Sequence, residues 1–230
     1  LVGGTDRDGD MQVAVAHMAE EGDMRVGIVL ADRRFAGCGE FAEQEYSVTS
    51  PPAILGDRII TGAMVLDRVH NHMPSGVVRA YDVRTGALEW YWDPIPPGQK
   101  PETGPDGQPV FRRGTTNVWS VISVDPARNL VFLPTGNTST DFFGGLRDNM
   151  DYYSSSVVAL KGDTGELAWH FQMVHHDIWD YDTPAQPTLF ELERDGRTIP
   201  ALAQPTKMGH LFILNRETGE PLFPVEERPV

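Results

Sequence analysis

Five ionisable side chains fall within eight positions of one short stretch, VHHDIWDYDTPAQPTL, residues 174–189. They surround Trp179 and are, in chain order, His175, His176, Asp177, Asp180 and Asp182. Carboxylates placed this close together repel one another unless a positive charge is shared among them. The stretch therefore predicts a site in which a positively charged partner neutralises the acidic groups.

Simpler interpretations of these residues stay open. An aspartate before a proline-containing loop often caps a turn, which would explain Asp180 without any chemistry. The two histidines favour a structural role, because adjacent residues of a strand point to opposite faces and are poorly placed to bind one zinc ion. Zinc is therefore a poor candidate for the positive partner.

The composition of the chain excludes several functions. A formal net charge of −14 over 230 residues repels nucleic acid and anionic membrane surfaces, so we expect no nucleic-acid partner. The single cysteine, Cys38, can form neither an internal disulfide nor a Cys-rich zinc site, and no C-x-x-C-H haem-attachment motif occurs. The longest apolar runs are far too short to cross a membrane.

A repeated phrase is the clearest sign of architecture. VVRAYDVRTGALEWYW (77–92) and SVVALKGDTGELAWHF (156–171) align residue for residue, and a Thr-Gly pair precedes Trp90 or Trp169 in each. A weaker third copy is LFILNRETGEPLF (211–223), with a phenylalanine near the tryptophan position. Each copy predicts a β-hairpin with a tight turn and an aromatic residue ending its second strand.

Further apolar hairpins precede the first two copies, at 52–63 and 119–136. Two successive hairpins make a four-stranded antiparallel unit, and tandem repetition of such units predicts a β-propeller. The stretches 94–115 and 137–153 are then long loops, which on a rigid sheet scaffold usually carry function. Residues 1–32 fit two strands or one helix equally well and stay unassigned.

Several segments resemble the quinoprotein dehydrogenases, β-propellers that hold pyrroloquinoline quinone (PQQ). EYSVTSPP (45–52), SGVVRAYDVRTG (75–86), VFLPTGNTSTDFFGG (131–145) and the stretch 174–189 resemble consecutive segments of the membrane-bound glucose/quinate branch. The Thr-Gly-x-x-x-Trp hairpins resemble the family's tryptophan-docking motifs. The resemblance implies an all-β fold: a partial eight-bladed β-propeller of four-stranded antiparallel blades, with about three to four blades in residues 33–230.

The resemblance also implies roles for individual residues in a PQQ site. Asp180 matches the catalytic base, which accepts the proton of a substrate hydroxyl as hydride leaves the carbon. Lys207 matches a lysine beside the quinone oxygens, where its charge would stabilise negative charge that develops on the quinone. Trp119 matches the tryptophan that lies against the PQQ ring. Further predicted contacts to PQQ are Thr49, Ser50 and Arg79.

A metal ion is the third implied component. The predicted ligands are Asn137, Asp180 and Asp67, because hard cations take carboxylate and amide oxygens. Asp67 lies near the acidic residue of an Asp-Asn pair in the glucose branch, but Arg68 follows it here. Asp182 matches an additional aspartate of lanthanide-dependent methanol dehydrogenases, yet glucose-branch members also carry Asp-x-Asp. We therefore predict Ca²⁺ or Mg²⁺ rather than a lanthanide, with Asp182 beside the ligands or bound to backbone.

The expected function is oxidation of a sugar or polyol hydroxyl by hydride transfer to PQQ. Since the chain has no haem motif, electrons would pass to a membrane quinone, with ubiquinone as the acceptor, in the periplasm at the outer face of the inner membrane. The chain begins at Leu1 without an initiator Met and stops at PVEERPV. We expect a piece of a longer protein, inactive until the remaining propeller blades complete the ring.

Two other functions compete with this one. A non-catalytic propeller that acts as a protein-assembly scaffold would share the tryptophan repeats, but it has no need of Asp180, Lys207 and Asn137 together. A lectin-like propeller would use the acidic cluster to bind a metal ion and a sugar without redox chemistry. Addition of PQQ and a dye acceptor separates the three, because the dye is reduced only by an enzyme.

Overall fold

The chain folds into antiparallel β-structure. The computed structural model describes residues 14–20, 23–29, 46–67, 75–100, 102–103, 109–110, 116–147 and 149–228. The strands are β1 (Ala14–Glu20), β2 (Asp23–Val29), β3 (Tyr46–Ser47), β4 (Ala53–Leu55), β5 (Arg58–Thr61), β6 (Met64–Val65), β7 (Val78–Asp82), β8 (Leu88–Trp92), β9 (Glu102–Thr103), β10 (Pro109–Val110), β11 (Ser123–Asp125), β12 (Leu130–Pro134), β13 (Ser156–Lys161), β14 (Leu167–Gln172), β15 (Thr188–Arg194), β16 (Arg197–Pro205) and β17 (Leu211–Asn215). Within the described ranges, the one helical element is a 3₁₀ turn at Gly144–Leu146.

Three successive sheets make up most of this structure. The first sheet has the strand order β4-β5-β7-β8, the second sheet β11-β12-β13-β14, and the third sheet β15-β16-β17. Two-stranded ribbons are formed by β1 with β2, β3 with β6 and β9 with β10. All pairs are antiparallel, so the prediction of tandem four-stranded antiparallel units is confirmed for the first two sheets. The number of blades in a complete ring stays a prediction.

All three Thr-Gly turns share a bond from the glycine N–H to the carbonyl of the residue that ends the first strand, and in the first and third copies that residue's side chain also accepts from the turn's backbone. The Asp82 carboxylate accepts hydrogen bonds from the N–H groups of Arg84 (3.0 Å) and Thr85 (2.7 Å). Gly86 then closes the turn with φ +73°, a left-handed conformation that favours glycine. In the third copy, Asn215 Oδ1 accepts from the N–H of Glu217 (2.8 Å) in the same way. The repeat thus encodes one turn geometry.

Each repeat tryptophan docks onto the turn of the following sheet. The indole N–H of Trp90 donates to the carbonyl of Gly162 (3.0 Å), and that of Trp169 donates to the carbonyl of Arg216 (3.2 Å). A Cβ added at Gly165 would lie 2.5 Å from the Trp90 ring, so glycine alone lets the ring approach this closely. The predicted tryptophan-docking motifs are therefore confirmed.

Two layers of buried apolar side chains lie between the three sheets and pack them together. The layer between the first and second sheets contains Trp92, which was not assigned from the repeat and which meets Tyr153 edge-on at 5.2 Å between ring centroids. The layer between the second and third sheets is built around Phe132 and Trp169. Each large side chain buried in these layers contributes about 1.5–3 kcal/mol to stability. Face-to-face stacking of successive sheets is the arrangement expected of propeller blades.

The prediction that residues 211–223 form a complete hairpin is wrong. β17 ends at Asn215, and the returning segment pairs with it only through a bridge between Leu214 and Pro221. The next position of this segment that would donate to β17 is Pro224, which has no N–H, so the ladder stops after the bridge. Phe223 is half exposed at 49%, with the guanidinium carbon of Arg194 5.2 Å from its ring centroid, so it does not take the tryptophan's place.

Two further hairpins complete the description. Of the two alternatives for residues 1–32, the structure has strands, β1 and β2, over the ranges it describes. The hairpin of β15 and β16 was missed from the sequence, although its turn is Asp195-Gly196, with φ +52° and +70°. Cys38, Arg68 and much of the loop 94–115 lie outside the described residues. No helix among those described is long and apolar enough to span a membrane.

Candidate active site

Four loops meet around Asp180. They follow β6, β12, β14 and β16, and they bring together Asp67, the loop 137–141, the loop 174–183 and Lys207. The predicted catalytic residues Asp180 and Lys207 are therefore neighbours in the structure, although they are 27 positions apart in the sequence.

Three carboxylates form a cluster at the centre of this region. Oxygen atoms of Asp67, Asp141 and Asp180 all lie within 4.8 Å of one another. The structure thus brings together Asp67 and Asp180, two of the residues proposed to bind metal. Asp141 was missed, because its only signal was membership of the loop 137–153, which the sequence analysis marked as functional without naming the aspartate.

Burial and the close spacing of these carboxylates raise the pKa of two of them. Burial, followed by the charges of Asp67, Asp180 and Asp182, raises the pKa of Asp141 to about 7. Burial is also the main cause that raises the pKa of Asp180 to about 6, with Asp182 adding to the effect and Lys207 opposing it. Carboxylates whose pKa is raised by burial and by neighbouring negative charges are common at functional sites.

Asp177 holds the loop that presents Asp180. Its carboxylate is fully buried and accepts hydrogen bonds from Ser155 Oγ (2.8 Å), Trp179 N (2.9 Å) and Tyr181 N (2.7 Å). Between the last two donors, Asp180 adopts a left-handed φ of +60°, which an L-residue rarely takes without support. Asp177 therefore positions Asp180 through the backbone on either side of it.

Lys207 fixes the same loop from the other side. Its ammonium donates to the backbone carbonyl of Asp180 (2.8 Å) and to Asp182 Oδ2 (3.1 Å), and it lies 3.7 Å from Asp180 Oδ2. The second oxygen of Asp182 accepts from the N–H of Asn137. Asp182 thus joins Lys207 to backbone, in agreement with the expected role beside the metal ligands.

The side chain of Asn137 is buried and engaged on both of its polar atoms. Its Nδ2 donates to the backbone carbonyls of Asp141 (3.2 Å) and Asp177 (3.3 Å). Its Oδ1 accepts from Thr138 N (2.8 Å) and Ser154 Oγ (3.1 Å). In this arrangement Asn137 ties together the loops that carry the carboxylates, while its role as a metal ligand stays a prediction.

Trp119 lies beside this network, in the segment before β11. A Cβ added at Gly136 would lie 3.2 Å from the Trp119 ring and 2.9 Å from Asp182 Oδ1, so the indole and the acidic loop share one small space. The hydroxyl of Thr49 donates to the Trp119 carbonyl (3.2 Å), and Ser50 is buried next to it in the chain. The structure therefore places Thr49 near Trp119.

Arg79 occupies a different environment, within β7. It is buried, its guanidinium donates to the carbonyl of Val77 (3.4 Å), and its charge acts on Asp93. Burial raises the pKa of Asp93 to about 6, while a hydrogen bond from Ser75 and the charge of Arg79 partly oppose that rise. Arg79 is thus held in the first sheet close to a buried acid.

The two histidines contact different partners. His176 Nδ1 lies 2.9 Å from Asp151 Oδ2, and its ring packs against Gly144, where an added Cβ would lie 2.0 Å away. His175 contacts Glu227. Among the described residues, the cluster with metal-binding spacing contains aspartates and no histidine. These contacts support the structural role that the sequence favours for both histidines.

A comparison with known protein families gives the site its context. A model described as the β-propeller domain of PQQ-dependent glucose/ethanol/alcohol dehydrogenases matches residues 25–230, most of the chain. The chain belongs to the PQQ-dependent dehydrogenase family. The resemblance in the sequence is thereby confirmed, and the all-β sheets are those of the family's propeller.

Two relatives within the family are quinoprotein dehydrogenases that match most of this chain. The chain is 43% identical over 197 residues to the quinate/shikimate dehydrogenase (quinone) of Acinetobacter baylyi, covering 84% of this chain and 24% of that protein. It is 41% identical over 187 residues to the quinoprotein glucose dehydrogenase of Escherichia coli, covering 80% and 23%. The chain thus spans about a quarter of the length of these relatives.

A solved structure agrees with this assignment. The quinohemoprotein alcohol dehydrogenase ADHIIG of Pseudomonas putida HK5 superposes with a TM-score of 0.65 at 28% identity, covering 80% of this chain and 28% of that one. Because the match covers 80% of this chain, the family's propeller has the same overall arrangement of strands.

The residues present fit the two groups that the family binds. Asp141 Oδ2 and Asp180 Oδ1 are buried and accept no hydrogen bond from the residues that the structure describes, as expected of oxygens that bind a cation. The Trp119 indole shares the space around Gly136 with Asp182, and its backbone carbonyl accepts from Thr49, so an aromatic ring that can stack on a planar quinone lies beside the acidic loop.

Proposed function

We propose that this chain forms the PQQ- and metal-binding part of an enzyme that oxidises a hydroxyl group of a sugar or polyol. The observation that carries the proposal is the meeting of Asp180, Lys207 and the acidic cluster beside Trp119 in a family propeller. A protein-assembly scaffold has no need of clustered carboxylates with buried oxygens that accept no hydrogen bond from the described residues, so that alternative is not favoured.

Asp180 is proposed as the catalytic base. PQQ, when bound, supplies a two-electron acceptor. Asp180 takes the proton from the substrate hydroxyl, and Asp177 holds the loop so that the carboxylate is ready before substrate arrives. The ammonium of Lys207 lies beside Asp180 and Asp182, where it stabilises negative charge that develops during the reaction.

Asp67, Asp180 and Asn137 are proposed to hold a divalent metal ion, Ca²⁺ or Mg²⁺, rather than a lanthanide. Both ions prefer oxygen ligands, and the cluster offers carboxylates at a spacing that one ion can bridge. Asp182 is occupied by Lys207 and by backbone, which argues against its use as an extra carboxylate ligand for a trivalent ion.

Trp119 is proposed to stack on PQQ, and Thr49, Ser50, Arg79 and Lys207 to contact its polar groups. Hydroxyl and cationic donors suit the carboxylates and carbonyls of PQQ. Support is strongest for Thr49 and Lys207, since Thr49 touches the Trp119 backbone and Lys207 touches the acidic loop.

The setting proposed for the complete enzyme follows from its relatives. One of them is named as a quinone-linked dehydrogenase, so we propose ubiquinone as the electron acceptor. We place the enzyme in the periplasm, at the outer face of the inner membrane. Because the chain spans about a quarter of those relatives, the remaining propeller blades are proposed as its partners within one polypeptide.

Reconstitution tests this proposal. The complete protein is stripped with a chelator, then given PQQ with Ca²⁺ or Mg²⁺, a dye acceptor and a panel of sugars, polyols and quinate. We expect dye reduction only when PQQ, a divalent ion and a substrate are all present. Tight PQQ binding without dye reduction on any substrate, or no PQQ binding, would contradict the proposal.

A further inference from the structure

Asp141 is a buried acid whose carboxylate forms no ion pair with the residues that the structure describes. Its side chain is 2% exposed, and its Oδ2 accepts no hydrogen bond. The nearby Arg147 does not serve it, because its guanidinium donates to the backbone carbonyls of Thr140 (3.0 Å) and Asp141 (2.8 Å). A buried carboxylate without a partner is strongly destabilising, so its presence requires an explanation.

The position of Asp141 supplies that explanation. One of its oxygens lies within 4.8 Å of oxygens of both Asp67 and Asp180. Two oxygens that bind the same Ca²⁺ at about 2.4 Å lie at most about 4.8 Å apart. The three carboxylates therefore have the spacing of ligands around one ion, and a buried carboxylate with an oxygen that accepts no hydrogen bond from the described residues belongs to that cluster.

The predicted amide ligand is less available than this carboxylate. Asn137 Oδ1 already accepts two hydrogen bonds, from Thr138 N and Ser154 Oγ, and turning the amide around would place its N–H₂ against the Thr138 N–H. Its Nδ2 holds the carbonyl of Asp141 instead, at 3.2 Å. Asn137 is thus well placed to set the path of the loop that delivers Asp141.

We propose that Asp141 is a direct ligand of the metal ion, which Asp67, Asp141 and Asp180 hold with three carboxylates. This inference rests on the proposed function, since it concerns the same metal centre, and it adds a ligand that the sequence motifs did not indicate. Three carboxylates carry more negative charge than the predicted set of two carboxylates and an amide, so Ca²⁺ binds more tightly.

Calorimetric titration of the chelator-stripped complete protein with Ca²⁺, without substrate or dye, tests the inference. Asp141→Asn keeps the size of the side chain and the backbone bonds to Arg147 but removes the charge. We expect it to weaken Ca²⁺ binding by roughly tenfold or more, the scale seen when a metal site loses a supporting group. The control Asp195→Asn replaces an aspartate that is 91% exposed and far from the cluster in a hairpin turn; its Ca²⁺ affinity should equal that of the natural protein.

A second variant covers the case in which Asp141→Asn does not fold. Asp141→Glu keeps the charge but moves the carboxylate by one methylene group, and it should also bind Ca²⁺ more weakly than the natural protein. Unchanged affinity in either folded variant, with affinity lost in Asp180→Asn, would overturn the inference and leave the proposed function standing. Absence of Ca²⁺ and Mg²⁺ binding in the natural protein would overturn both.

Discussion

At the scale of single residues, the site depends on acids held where they are unfavourable. Asp180 has a left-handed backbone that Asp177 and Lys207 stabilise, and Asp141 is buried beside it. Such groups reduce the stability of the fold and are tolerated where function requires them. Asp93 is a further buried acid, away from the cluster, where this effect can be measured without involving the metal ligands.

Asp93→Asn should stabilise the protein at neutral pH. The pKa of Asp93 is raised from 3.8 to about 6, chiefly by burial, so the folded state favours the protonated acid. The raised pKa of Asp93 therefore contributes stability to the folded state that is fully present below the unfolded pKa of 3.8. That contribution is lost as the pH rises through about 6. Above pH 6 the asparagine variant should be more stable by on the order of 1–3 kcal/mol.

Denaturant unfolding of the natural protein and of its Asp93→Asn variant, between pH 4 and pH 8, checks this prediction. The difference in the free energy of unfolding should grow as the pH rises from about 4 to about 6, between the unfolded and folded pKa values of Asp93, and should level off above that range. A difference that does not depend on pH would contradict the prediction, because it would show that Asp93 has the same pKa in the folded and unfolded protein.

At the scale of elements, the tryptophan-docking contact joins one sheet to the next. Trp90 reaches the turn of the second sheet and lies against Gly165, which has φ +72°. Gly165→Ala therefore meets two obstacles, a strained backbone and a Cβ 2.5 Å from the indole. Gly196 offers a matched control, because its φ is +70° and nothing lies within 4 Å of an added Cβ.

Thermal unfolding of the two variants separates these effects. Gly196→Ala should lose about 1 kcal/mol from the backbone alone. Gly165→Ala should lose a further 1–3 kcal/mol, approximately, because the tryptophan must move. Equal losses in the two variants would mean that the Trp90 contact does not stabilise the junction between the sheets.

The elements also show what local sequence can and cannot predict. The Thr-Gly hairpins were predictable because Asp82, Thr85 and Gly86 satisfy the turn among themselves. The third copy was predicted wrongly as a complete hairpin, because its returning segment makes one bridge to β17 and Pro224 has no N–H to continue the ladder. The hairpin at Asp195-Gly196 carried a recognisable turn signal that was overlooked.

The candidate site was predictable only where its residues lie in recognisable local motifs. Asp180 and Lys207 lie in motifs that resemble the family, and the structure brings them together. Asp141 has no local feature that distinguishes it from a surface aspartate. Its importance arises from contacts with Asp67 and Asp180, which are far away in the sequence and which only the folded loops create.

At the scale of the whole molecule, the third sheet has one face covered and one face that is not. The side facing the second sheet is buried through Leu202 and Leu214. The opposite side carries four apolar residues that are only half buried, namely Phe190, Leu192, Ile199 and Ile213. A family propeller would cover such a face with another blade.

Expressed by itself, the 230-residue chain should therefore self-associate or unfold with weak cooperativity. Sedimentation at several concentrations measures this, and the double variant Phe190→Lys with Ile213→Lys, which places charges on the uncovered face, should shift the chain toward monomer. A natural chain that is monomeric, melts sharply and is fully active would contradict this expectation.

The central claim, that Asp180 is the base of a PQQ- and metal-dependent oxidation, is tested most directly by single-turnover kinetics. The complete protein, loaded with PQQ and Ca²⁺, is mixed with saturating substrate, and the reduction of PQQ is followed by its absorbance in the natural protein, in Asp180→Asn and in the control Asp195→Asn. We predict that Asp180→Asn reduces PQQ roughly 10²-fold more slowly or worse, the scale for loss of a general base, at full PQQ occupancy. The control should match the natural rate. A near-natural rate in Asp180→Asn with PQQ bound would contradict the account.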